Sequence, residues 1–216
     1  QEQVQIMKRR GGVGIDMSTI RPFGLAAANA ARTTDGVGVF MERYSNTCRE
    51  VAQGGRRGAL MLTLSVHHPD VLTFANIKRD KDKVTGANVS IRMSDEFILA
   101  VKEGKQYQQR FPVEKDAVHT VEKMVDAREV WNNVVLAMRD CSEPGMLFWD
   151  AIKELSPADA YEKFGYGTVS TNPCGEITLS PYDSCRFLLI NLRKFVTSPF
   201  TKEAKFDFDY FADVTQ

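Results

Sequence analysis

Residues 170–179 read STNPCGEITL, a carboxamide, a thiol and a carboxylate at alternate positions: Asn172, Cys174 and Glu176, separated by Pro173 and Gly175. Proline lacks the amide donor that a helix or central strand uses, and glycine weakens both, so the stretch predicts an irregular loop. Where such a loop is extended, alternate side chains share one side. These three would then offer a hydrogen or electron carrier, a base and a neutral hydrogen-bonding group. Eleven residues beyond Cys174, Cys185 stands in SPYDSCRFLLINL, at the mouth of an apolar run that reads as a strand. Two thiols near one site point to redox chemistry.

The other two cysteines read differently. Cys48 and Cys141 each fall on an apolar helical stripe, where cysteine acts as a small buried hydrophobe. The four cysteines form no CxxC pair and there are only three histidines, which fits reduced thiols better than a disulfide scaffold or a metal cage. No metal site is expected. Lysine plus arginine (28) equals aspartate plus glutamate (28), so no overall field points to nucleic acid or an anionic membrane. No apolar run approaches the roughly 20 residues that span a bilayer. The reading is of a cytoplasmic protein with neither kind of partner.

The elements that must position these residues alternate between strand and helix, which predicts an α/β fold. RRGGVGIDMSTIRPFG places glycines where the backbone approaches something closely or takes positive φ, then an apolar run and a turn at Arg21–Pro22. A phosphate loop and a plain tight turn both remain open for it. Val39, Phe40, Met41, Tyr44, Thr47, Cys48 and Val51 predict a core-facing helix stopped at Gly54 and Gly55. ALMLTLSV predicts a buried strand and HHPDVLTFANIK a further helix, with His67 and His68 in capping or turn roles. KRDKDKVTGANVSIRMSDEF predicts a charged loop, alternation at Val89, Ile91 and Met93, and a helix capped by Ser94 or Asp95. That loop reads either as a solvated hairpin or as a flexible phosphate-reading segment. Val130, Val134, Val135, Met138 and Cys141 predict a scaffold helix ended near Pro144–Gly145, and residues 159–171 are turn-rich.

NPCGEITL followed by DSCRFLLINL resembles the finger loop and following strand of the ribonucleotide reductase catalytic subunit. GGVGIDMSTIRP, AQGGRRGA and the 81–92 loop resemble the same family in the same order, so the likeness covers essentially the whole chain. It implies part of a ten-stranded α/β barrel, first half with the finger loop, with residues 1–216 as one partial barrel domain. Cys174 would become the thiyl radical that removes the 3′ hydrogen of a ribonucleotide. Glu176 would take the 3′-hydroxyl proton, Asn172 would hold the substrate hydroxyls, and Cys185 would be one of the two reducing thiols. Residues 21–35 and 81–92 would be specificity loops reading a deoxynucleotide triphosphate effector, with Arg21, Arg32, Lys81, Lys83 and Arg92 as its cationic contacts.

The resemblance further implies a thioredoxin-like or glutaredoxin-like reductant and a homodimer. Proline and glycine within NPCGE resemble the adenosylcobalamin-dependent class; the alternative is a radical supplied by a separate metal-containing subunit. No residue is assigned to the cofactor. The family's second redox cysteine precedes the glycine motif, and neither Cys48 nor Cys141 stands in its place. The substrate-phosphate loop and second half-barrel would follow Gln216, so the sequence reads as a fragment that needs its missing segments. Two other functions stay open: a non-catalytic nucleotide-binding module derived from such an enzyme, and a thiol–disulfide protein, which would leave Asn172 and Glu176 unexplained.

Overall fold

The structure is a computed structural model that describes residues 1–28, 30–51 and 55–216. It divides into two compact units, Gln1–Asp183 and Ser184–Gln216. In chain order the first unit holds α1 (Glu2–Lys8), β1 (Val13–Asp16), α2 (Val37–Glu50), β2 (Leu60–Ser65), α3 (Val71–Asn76), β3 (Asn88–Met93), α4 (Asp95–Glu103), β4 (Gln106–Phe111), β5 (Val121–Asp126), α5 (Ala127–Cys141), β6 (Gly145–Phe148), α6 (Trp149–Leu155), β7 (Ser170–Thr171) and β8 (Thr178–Leu179). The second unit holds β9 (Val196–Thr197), β10 (Lys205–Phe206) and α7 (Phe208–Thr215).

Strands β1, β2, β3 and β6 make one parallel sheet in that order. Parallel neighbours require crossovers, which α2, α3 and the α4–β4–β5–α5 segment supply. Among the described residues the sheet is not closed. Its two faces differ in chemistry. Leu60, Leu62 and Leu64 of β2 and Val89, Ile91 and Met93 of β3 turn to one face and are all nearly inaccessible. They meet Met41 and Cys48 of α2, Phe74 of α3, Phe97 of α4 and Val130 and Val134 of α5 in a single apolar core. Burying each large apolar side chain contributes about 1.5–3 kcal/mol. The opposite face, where the candidate site lies, presents Gly14, Asp16, Thr63, Ser65, Ser90 and Arg92 together with Met61.

The predicted strand at 60–65 and the helices at 37–50, 71–76, 95–103 and 127–141 are present. Ser94 caps α4 by accepting the Phe97 N–H at 3.1 Å. Several details differ. Val39 and Phe40 are exposed on α2, and Val135 on α5, because the buried stripes run through Val37, Met41, Ser45 and Cys48 of α2 and through Ala127, Val130, Val134 and Ala137 of α5. The stop expected at Gly54 lies outside the described residues. The 81–92 segment is no hairpin: residues 88–92 lie in a central strand, paired with β2 throughout and with β6 from Ser90 on. FLLINL is not a strand. Phe187, Leu188 and Leu189 are exposed, with no neighbouring strand to accept their backbone groups among the described residues.

The antiparallel pair β4–β5 was not foreseen. Its signal was alternation at Tyr107, Gln109 and Phe111, all buried. Tyr107 packs edge-on against Phe97, with ring centroids 4.7 Å apart, and donates to the Val66 carbonyl at 3.0 Å. The second unit is organised around Phe195, which meets Phe206, Tyr210 and Phe211.

Candidate active site

Asn172, Cys174 and Glu176 sit on a β-hairpin. Ser170 pairs with Leu179 and Thr171 with Thr178, and the chain reverses between them. The Asn172 N–H donates to the Ile177 carbonyl at 3.0 Å and the Gly175 N–H to the Asn172 carbonyl at 3.0 Å. Gly175 takes φ 86°, a conformation in which a side chain would be strained. The expected side-by-side alternation is therefore replaced by a turn. Asn172 is buried, whereas Cys174 and Glu176 are exposed. Asn172 Nδ2 donates to Glu176 Oε1 at 2.7 Å, and its Oδ1 accepts the Ile177 N–H at 3.1 Å. One carboxamide thus braces the turn and orients the carboxylate, and a bond to a charged acceptor is stronger than a neutral one.

The hairpin lies on the small, polar face of the sheet because glycines clear its path. A Cβ on Gly14 would stand 1.8 Å from the Thr171 carbonyl oxygen, and one on Gly12 would stand 2.5 Å from the Pro173 ring. These glycines serve close approach of backbone, one of the two reasons the sequence suggested. At the tip, Asn88 Nδ2 donates to the Pro173 carbonyl at 2.8 Å. At the base, the Thr63 and Ser170 hydroxyls lie 3.4 Å apart.

A half-buried ion pair completes this face. Arg92 Nη2 stands 3.1 Å from Asp16 Oδ2 and donates to Ser18 Oγ at 2.8 Å, while Nη1 donates to the Val169 carbonyl at 3.4 Å. The guanidinium carbon stacks 4.5 Å from the Trp149 ring centroid. Burial pushes the Asp16 carboxyl above the usual carboxylate range, opposed by Arg92 and by hydrogen bonds from Ser18 and Thr63. Sequence reasoning missed Asp16, Ser18 and Trp149; an acidic residue closing the apolar run GVGID was the available signal.

The whole chain, residues 1–216, matches the family described as "Ribonucleotide reductase, barrel domain". This chain belongs to the ribonucleotide reductase barrel-domain family. It is 32% identical over 94% of its length to a vitamin B12-dependent ribonucleoside-diphosphate reductase of Thermoplasma acidophilum, covering 25% of that protein. It is 30% identical over 89% of its length to the protein of the same name in Mycobacterium tuberculosis, covering 27% of it. A ribonucleoside-diphosphate reductase large subunit of Caenorhabditis elegans is 27% identical over 98% of this chain, which covers 29% of that subunit. The chain thus spans about a quarter of the length of these curated relatives.

Within this reductase-family fold, the remaining candidates fall in several places. Cys185 is an exposed free thiol in the second unit. Cys48 is buried on α2, and its burial pushes the thiol pKa up; the Sγ of Cys141 donates to the Ala137 carbonyl at 3.1 Å. Both are held as scaffold. His67 bridges the Gln108 carbonyl at 2.8 Å and Ser94 Oγ at 2.7 Å. His68 Nε2 donates to the Ile20 carbonyl at 2.8 Å, and its Nδ1 accepts the Asp70 N–H at 3.0 Å. Asp70 in turn accepts the N–H groups of Phe23 and Val37, at 3.0 and 3.1 Å. The HHPD motif therefore anchors both the start of the 21–35 loop and the start of α2.

Arg21, Arg32, Lys81 and Lys83 are exposed on the two loops, while Arg92 is turned inward onto Asp16. The 81–87 segment leans on α2: Val84 N–H donates to Glu42 at 3.2 Å and Gly86 N–H to Ser45 Oγ at 2.9 Å. Asp35 of the first loop and Lys83 of the second line one cavity of about 480 Å³, together with Gly38, Glu42 and Asp80. No group of three or more His, Cys, Asp or Glu is placed to hold a metal ion among the described residues. No helix among them is long and apolar enough to cross a membrane.

Proposed function

We propose that this chain carries the finger hairpin of a ribonucleotide reductase that makes deoxyribonucleotides through a thiyl radical at Cys174. The observation that carries this reading is the hairpin itself: an exposed thiol stands between a carboxylate and the buried carboxamide that orients it. The Cys174 sulfur radical takes hydrogen from the 3′ carbon, and Glu176 accepts the 3′-hydroxyl proton as the 2′-hydroxyl leaves as water. Two electrons and two protons come from a dithiol, Cys185 and a second cysteine, which end as a disulfide. Cys174 then returns its hydrogen to the 3′ carbon and regains the radical. The net change is one ribonucleotide and two thiols to one deoxyribonucleotide, one disulfide and one water. The relatives' names support a nucleoside diphosphate as substrate.

The fold proposed for the complete enzyme is the ten-stranded barrel, with the parallel sheet as part of its wall and the hairpin directed along its inner face. Enclosure there would keep solvent from the radical. Adenosylcobalamin is the proposed radical source, supported by relatives named as vitamin B12-dependent. The group of this chain that fits such a source is the free, exposed Cys174 thiol; when bound, the cofactor supplies the radical equivalent that this thiol needs. The shared cavity supports an effector role for the 21–35 and 81–92 loops. Its lining has three carboxylates against one lysine, so a triphosphate there requires a divalent cation. A cytoplasmic location, a thioredoxin-like or glutaredoxin-like reductant and a homodimer belong to the same proposal.

The test is turnover in the full-length protein: ribonucleoside diphosphate, adenosylcobalamin and a dithiol should yield deoxynucleotide, and the Cys174→Ser protein none. Effector binding without any product would favour a nucleotide-binding module instead.

A further inference from the structure

We propose that Arg92, aimed by Asp16 and Trp149, is a positioning residue that sets where the 170–179 hairpin lies along the sheet, and so where Cys174 meets substrate. This rests on the reductase reading above. The hairpin is fixed at its tip by Asn88 and crossed closely by Gly14. At its base Asp159 holds Thr168, and the fixings to the sheet are the Arg92 Nη1 bond to the Val169 carbonyl and the Thr63–Ser170 hydroxyl contact, each 3.4 Å. Arg92 makes that first fixing directional. Its Nη2 is spent on Asp16 and Ser18 and its face on Trp149, so a planar fork has one orientation left for Nη1. The guanidinium thereby ties β3, the end of β1 and the start of α6 to the residue that enters the hairpin.

The arrangement is costly as mere scaffold. The Arg92 side chain is 11% exposed, and its Nε is buried with no hydrogen-bond partner among the described residues. A buried charge with an unmet donor lowers stability, and apolar residues would fill the same space more favourably. A lysine would keep the charge but lose the fork.

The experiment uses the full-length protein and three readouts: thermal unfolding, steady-state kcat and KM, and hydrogen exchange at the amides of Asn172, Gly175 and Ile177, which needs no turnover. Asp16→Asn with Arg92→Gln removes both charges and shortens the side chain at 92; Arg92→Lys keeps the charge alone. The double variant should unfold near the wild-type temperature, exchange its hairpin amides faster, and lose about 10- to 100-fold in kcat with KM nearly unchanged. Arg92→Lys should fall between it and wild type. Wild-type exchange and kcat in the double variant would overturn the proposal, leaving a structural ion pair only. A fall in kcat with exchange unchanged would also overturn it, because Arg92 would then act on a ligand itself. If the wild-type protein reduces no ribonucleotide, the reductase reading fails, and the exchange data alone decide whether Arg92 positions the hairpin.

Discussion

At the scale of single residues, three side chains divide the work of the hairpin unequally. The Cys174 thiol is free and exposed, with no side-chain hydrogen bond among the described residues, so Cys174→Ser should abolish nucleotide reduction while substrate and effector affinities, measured by equilibrium binding, stay close to wild type. A hydroxyl cannot carry the radical at accessible energy. Deoxynucleotide formed by that variant would remove the thiyl assignment. Glu176→Gln keeps a group able to accept from Asn172 but removes the base. Turnover should drop by about 10²- to 10⁴-fold, the usual range for losing a general base, with little change in KM. A rate near wild type across neutral pH would exclude that role. Asn172 differs from both, because it braces the turn through Glu176 and Ile177. Its truncation mixes chemistry with structure and is the less informative variant.

At the scale of elements, the hairpin depends on what the strands beneath it omit. Gly14→Ala would place a methyl 1.8 Å from the Thr171 carbonyl oxygen, and backbone rather than a flexible side chain must move. We expect a loss of about 1–3 kcal/mol in denaturant unfolding, as for overpacked cores, with a larger proportional loss of turnover. Full activity at wild-type stability would show that the hairpin does not rest on β1. The HHPD turn yields a pH dependence. Burial holds the imidazoles of His67 and His68 below the ordinary histidine pKa, opposed at His68 by its bond to Ile20 and by the Asp70 and Asp16 carboxylates. The unfolded chain therefore takes up these protons first. Their stabilisation is present above about pH 6.5 and is lost as pH falls toward the folded-state values. Between about pH 7.5 and about pH 5.5, wild type should lose more unfolding free energy than His68→Gln does. Equal losses would mean that other groups set the acid limb.

At the scale of the molecule, the parallel sheet has two open edges, β1 and β6, among the described residues, and Phe187, Leu188 and Leu189 lie exposed in the second unit. Unpaired edges and exposed apolar runs favour association. The 216-residue chain on its own should therefore self-associate, as light scattering would show; a stable monomer at high concentration would contradict this. Given ribonucleotide, adenosylcobalamin and dithiothreitol, it should form no deoxynucleotide, since Cys48 and Cys141 are held as scaffold. Turnover by that chain alone would show that one of these thiols serves as the partner of Cys185.

Much of this was legible in local pattern. A run such as LMLTLS buries on both faces only as an inner strand, and the Ser94 cap follows from a hydroxyl before an apolar helical stripe. NPCGE announced a loop bearing a thiol, an amide and a carboxylate because proline and glycine restrict the backbone whatever surrounds them. The tertiary structure decided the rest. Alternation suggested that Asn172, Cys174 and Glu176 share a side, yet the turn buries the first and exposes the others, a result set by hydrogen bonds across five residues. FLLINL has the composition of a strand, but a strand exists only where a neighbour accepts its backbone bonds. Arg92 was expected, on the family resemblance, as a cationic contact of the effector. Its inward course depends on Asp16, 76 positions earlier, and on Trp149, 57 positions later, and no local pattern encodes so distant a pairing.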